Sequence, residues 1–161
     1  KSGAARSKKS MHYVGLAFDM ALPTGMYKPD KDPYVIEDIG GRRWRVWMRC
    51  DEGEEMTIEG TYVTRSGGKT KLNKKEVTGT FVDFTALALK HGFHSIRARS
   101  SFFRGGSYGG AEWWHFQYER ALTEGVSKFG EELLKVYPLS KCESFIYWNE
   151  AKDCIFGKNW F

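Results

Sequence analysis

Two short stretches carry side chains that can do chemistry together. One is Glu112-Trp113-Trp114-His115. The other is Ser10-Met11-His12-Tyr13-Val14-Gly15-Leu16-Ala17-Phe18-Asp19. Between them they supply two imidazoles, one carboxylate suited to ligation and a second carboxylate to spare. That is the inventory of a catalytic zinc centre, which needs three protein ligands, one open position and a general base beside it.

The elements that must position these groups can be read from residue spacing. Leu16, Phe18, Met20 and Leu22 alternate with Ala17, Asp19 and Ala21, which predicts a strand over 16–22 with the leucines, Phe18 and Met20 facing a core. Asp19 then shares its face with two alanines, leaving room for an ion. His12 has the wrong parity for that face, so the chain must bend before Asp19, and Gly15 is the residue that permits it. Glu112 and His115 are three apart, and a straight strand would point them to opposite faces. Glu112 is therefore expected at a strand start or a bulge, before a strand over 112–118.

The two stretches together resemble the signatures of the zinc D,D-peptidase superfamily. It contains D-Ala-D-Ala carboxypeptidases, D-Ala-D-Ala dipeptidases and some phage endolysins, and the hedgehog signalling domain shares its fold. The resemblance covers roughly residues 7–22 and 80–118 and implies that His12, Asp19 and His115 hold zinc, with Glu112 as catalytic base. It implies an α+β fold of the hedgehog/D,D-peptidase kind. An antiparallel sheet would carry Asp19 and His115 on one face and helices on the other. It also implies a metallopeptidase acting on peptidoglycan stem peptides, foremost a D,D-carboxypeptidase. A peptidoglycan endopeptidase, a dipeptidase and a non-catalytic zinc-bearing cell-wall module are the alternatives. The location implied is the bacterial envelope, or release by a phage at lysis.

In such a mechanism Glu112 accepts a proton from water and passes it to the leaving amine. The family also steadies the developing oxyanion with an arginine upstream of the first zinc histidine. Only eleven residues precede His12, and Arg6 does not match clearly. Either the natural chain extends upstream of Lys1, or Arg99 or Arg104, which flank the glycine-rich stretch before Glu112, takes that role. Trp113 and Trp114 read as packing residues on opposite faces of a strand, with Trp114 a candidate wall of the substrate pocket. His91 and His94 match neither signature and read as structural or surface residues.

The chain has 161 residues, 41% hydrophobic and 16% aromatic. That suits a single folded domain with a sizeable core and excludes a disordered tail protein. No apolar run reaches the roughly 20 residues of a membrane helix. The net charge of +5 favours solubility or attraction to an anionic polymer. Anionic cell-wall polymers fit the resemblance, and no nucleic-acid motif is present. Cys50, Cys142 and Cys154 form no CxxC pair and no disulfide framework. Free thiols are expected, with a Cys142–Cys154 bridge the alternative in an oxidising compartment.

The rest of the chain gives further expectations. Residues 23–33 read as a loop, and Gly40-Gly41 joins two strands, 34–39 and 42–49, with Trp44, Val46 and Met48 on the buried face. A further strand runs over 56–65 to the turn at Ser66-Gly67-Gly68, with a lysine-rich return over 69–76. About residues 30–78 thus form a β-rich insertion, a candidate flap. A helix over 81–91 carries Phe81, Phe84, Ala88 and His91 and stops at Gly92. A strand follows at 93–99. A second helix runs from Thr123 to about Tyr137 with Val126, Phe129, Leu133 and Val136 as its stripe, ended by Pro138. The aromatic tail 139–161 packs on the domain.

Overall fold

In a computed structural model, the structure describes residues 10–118, 120 and 128–144. Among them lie six strands: β1 (Ala17–Asp19), β2 (Tyr34–Asp38), β3 (Trp44–Ser66), β4 (Lys69–Asp83), β5 (Phe93–Ser95) and β6 (His115–Tyr118). Among the described residues there are also three short α-helices: α1 (Phe84–Lys90), α2 (Phe129–Leu134) and α3 (Leu139–Glu143). The strands form two antiparallel sheets, ordered β1-β6-β5 and β2-β3-β4. The result is a mixed sheet-and-helix architecture compatible with α+β. The chain divides into two compact units. One is built from residues up to Phe18 and from Tyr118 onward, the other is Asp19–Gln117.

In the larger unit, two glycine pairs set the hairpins. Gly40 and Gly41 take left-handed φ of 81° and 58°, and Arg42 follows at 64°. The turn pairs Asp38 with Trp44, as the sequence led us to expect. Gly67 and Gly68 take φ of 57° and 76°, a two-residue turn that pairs Ser66 with Lys69. Mirror-image turns of this kind match the twist of paired strands, and glycine enters them without steric cost. The lysine-rich return is thus strand, and β3 is one strand of 23 residues. Against β4 it breaks register once, between Arg49 and Glu54, both opposite Phe81. Gly53 lies in that bulge, where a Cβ would collide with the Phe81 carbonyl.

Val35, Ile58, Val77 and Phe81 form a core cluster of the β2-β3-β4 sheet. Trp44 and Val46 are buried as expected, while Met48 is only half-buried. Trp44 also donates its indole N–H to the Ala111 carbonyl at 2.6 Å, in a buried setting. On the opposite face, Arg45 pairs with Asp83 and lies over the Trp47 ring.

Helix α1 starts later than expected. Phe81 continues the ladder of β4, and Asp83 caps the helix by accepting the Ala86 amide at 2.8 Å. Such a carboxylate at N-cap satisfies an orphan amide. Gly92, at φ 85°, follows the helix. The Phe84 ring meets Phe116 of β6 edge to face at 5.3 Å. Neighbouring strand residues point oppositely, so α1 lies on the face away from His115.

Other boundaries are also corrected. The strand over 16–22 is only β1, because Leu22–Thr24 forms a 3-10 turn with Pro23 near its start, and Leu22 is exposed. The strand over 93–99 ends at Ser95. In the smaller unit, the helix expected to reach Tyr137 ends at Leu134, and Pro138 caps the separate α3 instead of ending α2. Leu133 is buried but Val136 is exposed. Cys142 is a buried free thiol. The expectations for Thr123, Val126 and Cys154, and most of the aromatic tail, lie outside the described residues.

Candidate metal centre

Glu112 takes a φ of 55°, in the left-handed region. For a residue with a Cβ this costs about 1–2 kcal/mol, and such strain clusters at functional sites. The His115 amide donates to the Glu112 carbonyl at 3.2 Å, closing a turn over Glu112-Trp113-Trp114-His115. The turn solves the parity problem by folding the first residue back beside the fourth. Glu112 therefore sits neither at a strand start nor at a bulge, and the expected strand over 112–118 shortens to β6. Trp113 and Trp114 form the corner of the turn, both buried, with rings edge to face at 5.7 Å. They do not take opposite strand faces, because neither is on a strand.

Two backbone bonds set the register of β1 against β6. Tyr118 N–H donates to the Leu16 carbonyl, and Met20 N–H to the Trp114 carbonyl. In an antiparallel ladder these pairings put Asp19 directly opposite His115. His115 Nδ1 and Asp19 Oδ1 are 2.9 Å apart, and His115 Nε2 lies 3.1 Å from Gln117 Oε1. Burial works against a charged ring. The bond to Asp19, the bond to Gln117 and the charges of Asp19 and Glu112 outweigh it, so the His115 pKa is raised above its ordinary value.

His12 lies in the 3-10 turn Met11–Val14, which Gly15 ends in the left-handed conformation at φ 70°. This is the expected bend. His12 Nδ1 is 3.1 Å from the Ala17 carbonyl oxygen. A carbonyl only accepts, so Nδ1 carries the proton and Nε2 holds the lone pair of the neutral ring. A ligating histidine is commonly oriented by such a bond on its other nitrogen.

His12, Asp19 and His115 each offer one ligand atom, and these atoms all lie within 4.8 Å of one another. The group can hold a metal ion. Two imidazoles and one carboxylate are the mixed nitrogen and oxygen donors of an open, three-ligand centre, and they leave a divalent ion with net positive charge.

Glu112 stands outside this ligand group. Its Oε1 accepts from Arg99 Nε at 2.9 Å, with the Glu112 side chain 12% exposed and that of Arg99 71% exposed. Arg99 is fixed by its backbone, which donates to Gly110 and accepts from Phe102. Of the two arginines singled out by sequence, Arg99 therefore joins Glu112. Arg104 ends a 3-10 turn, exposed, in the residue before Gly105. Trp114 is buried within the turn and packs 5.4 Å from the Tyr108 ring. His91 and His94 are both exposed.

Two contributors escaped the sequence reading. Gln117 shares a strand face with His115, and its spacing of two was the available signal. Tyr108 accepts the Trp113 indole N–H at 2.9 Å and donates toward the carbonyls of Leu22 and Gly25. No local pattern announces it. No family model matches the chain, and neither does any curated protein or solved structure.

Proposed function

We propose that the chain is a zinc metallopeptidase that hydrolyses D-Ala-D-Ala-type bonds of bacterial peptidoglycan peptides, foremost as a D,D-carboxypeptidase. The observation that carries this reading is the convergence of His12, Asp19 and His115 donor atoms within 4.8 Å. The turn that begins β6 adds to it, since it holds Glu112 close enough for its charge to act on His115. His12, Asp19 and His115 would hold the ion. When bound, zinc supplies Lewis-acid polarisation of the scissile carbonyl and acidifies water.

The chain's own groups do the remaining work. Glu112 receives a proton on its carboxylate and delivers it to the departing amine. Arg99 orients Glu112 through Nε. Its side chain is otherwise largely exposed, so its terminal nitrogens are available to a substrate oxyanion or carboxylate. That position suits the role of an oxyanion-steadying arginine. A substrate of this kind places the protein at the bacterial envelope, or in a phage lysate.

One observation favours a second reading, a metal-bearing wall-binding module without turnover. The Glu112 carboxylate is ion-paired with Arg99, whose Nε already occupies Oε1. Glu112→Gln separates the two. On the first reading it keeps zinc and fold but loses roughly 10²–10⁴-fold in cleavage of peptides ending in D-Ala-D-Ala. Cleavage at the parent rate removes Glu112 from the mechanism. Zinc retention without cleavage of any stem peptide by the parent selects the module.

A further inference from the structure

The tip of the β3–β4 ribbon forms a second site, independent of the metal ligands. A groove of about 380 Å³ is lined by Tyr27, Val63, Arg65, Thr70 and Tyr108. That volume lies within the range of small-ligand sites, roughly 300–1,000 Å³. Its walls are fixed from three segments. Arg65 and Thr70 are cross-strand partners just behind the turn. The Val63 amide donates to the Met26 carbonyl at 2.7 Å, which holds the Tyr27 segment to β3. The Tyr27 and Tyr108 rings are 4.7 Å apart, Tyr108 anchored through its hydroxyl and Tyr27 44% exposed. The nearby Asp32 carboxylate is occupied by the amides of Tyr27 and Lys28.

Charge at this tip is one-sided. The Thr70 amide donates to the Gly105 carbonyl at 3.2 Å, which brings the backbone of Arg104-Gly105 alongside Lys69 and Thr70. Arg65, Lys69, Lys71 and Arg104 are all exposed. None has an ion-pair partner among the described residues, whereas Lys74 and Lys75 further down β4 pair with Glu59 and Asp30. The cations nearest the groove are therefore the uncompensated ones.

We propose that this groove binds a sugar unit carrying an oxyanion, a carboxylate or a phosphate, as in an acidic glycan. Tyr27 offers an exposed ring face to the apolar side of a sugar. Arg65 offers a planar fork that matches an oxyanion, and the Thr70 hydroxyl adds a donor at its base. A nucleic-acid strand fits less well. Sequence-tolerant strand binding uses successive aromatic platforms along a basic track, and here one ring is exposed and the other buried against it.

The test is titration of the full-length protein, followed by amide shifts in NMR and by calorimetry. The probes are tri-galacturonate, glucose 1-phosphate, neutral maltotriose and octathymidylate. At least one of the two acidic sugars should bind, shift the amides of Tyr27, Val63 and Thr70, and lose roughly tenfold or more in affinity on Arg65→Glu. Which of the two binds distinguishes a carboxylate source from a phosphate source. Lys69→Glu, also exposed, should weaken the same probe, and circular dichroism matching the parent excludes misfolding for either variant. The inference is overturned if neither acidic sugar binds at millimolar concentration, or if maltotriose binds equally well. It is also overturned if octathymidylate is the preferred ligand, or if the shifts fall outside the groove. None of these readouts depends on zinc or on peptide cleavage.

Discussion

Asp19 and His115 face each other across β1 and β6, with Oδ1 and Nδ1 2.9 Å apart. The pair has two uses. Without metal, the carboxylate favours the charged form of the imidazole, against the opposing effect of burial. Asp19 and His115 would also be donors to a metal ion, and a ligating imidazole must be neutral, so protons and metal would compete for this pair.

Asp19→Asn tests the pair. It keeps a hydrogen-bond acceptor and removes the charge. In metal-free protein the His115 pKa, followed by imidazole NMR, should fall relative to the parent. In the parent the pair's contribution to stability is present in full below the ordinary histidine value of about 6.5. It is lost as pH rises through the raised folded value. An unchanged His115 titration would show that Asp19 does not set it.

The strain at Glu112 has its own signature. Glycine in place of alanine ordinarily weakens a folded protein, but at a left-handed position the order reverses. Glu112→Gly should be more stable than Glu112→Ala by roughly 1 kcal/mol in urea unfolding. Both lose the Arg99 pair equally, so that loss cancels. Equal stabilities, or Glu112→Ala the more stable, would mean that the φ of 55° is not maintained.

Tyr108 links the groove to the Glu112 turn. Burial pushes its phenol well above the ordinary value near 10. A raised folded pKa means stability is complete below about pH 10 and declines as pH rises beyond it. Tyr108→Phe leaves the Trp113 indole and two carbonyls without their partner and should cost about 1–3 kcal/mol at neutral pH. The gap from the parent should narrow in alkali, as measured by unfolding at pH 8 and above pH 10. A constant gap would show that the phenol titrates at its ordinary value in the folded protein and is not raised by burial.

Thr61 is 3% exposed, and its hydroxyl has no partner among the described residues. Valine has the same shape without the polar atom. Thr61→Val should therefore raise stability, by about 1 kcal/mol. A loss of stability would reveal a partner for the hydroxyl.

What the sequence disclosed, and what it did not, follows from the range of the forces involved. Gly40-Gly41 and Gly67-Gly68 announced their hairpins because backbone stereochemistry acts locally. His12, Asp19 and His115 could be grouped because the resemblance rests on two short stretches, and the bend at Gly15 between the first two is local too. Phe81 misled because its spacing to Phe84 and Ala88 is helical, while its cross-strand pairing with β3 decided its state. The run 16–22 alternated correctly, yet Pro23 and the turn at Leu22 ended it early. The left-handed backbone of Glu112 leaves no mark in the sequence, because such a conformation in a non-glycine residue is held by its surroundings and not by its own preference. The groove at Arg65 joins residues from Tyr27 to Tyr108, and no window of sequence contains it.

The most direct measurement is zinc content. Protein purified without chelator and dialysed against zinc should carry one equivalent by elemental analysis, and His12→Ala should carry none while matching the parent in circular dichroism. A parent that takes up no zinc, or a His12→Ala variant that keeps a full equivalent, would contradict the assignment of His12, Asp19 and His115 as its ligands.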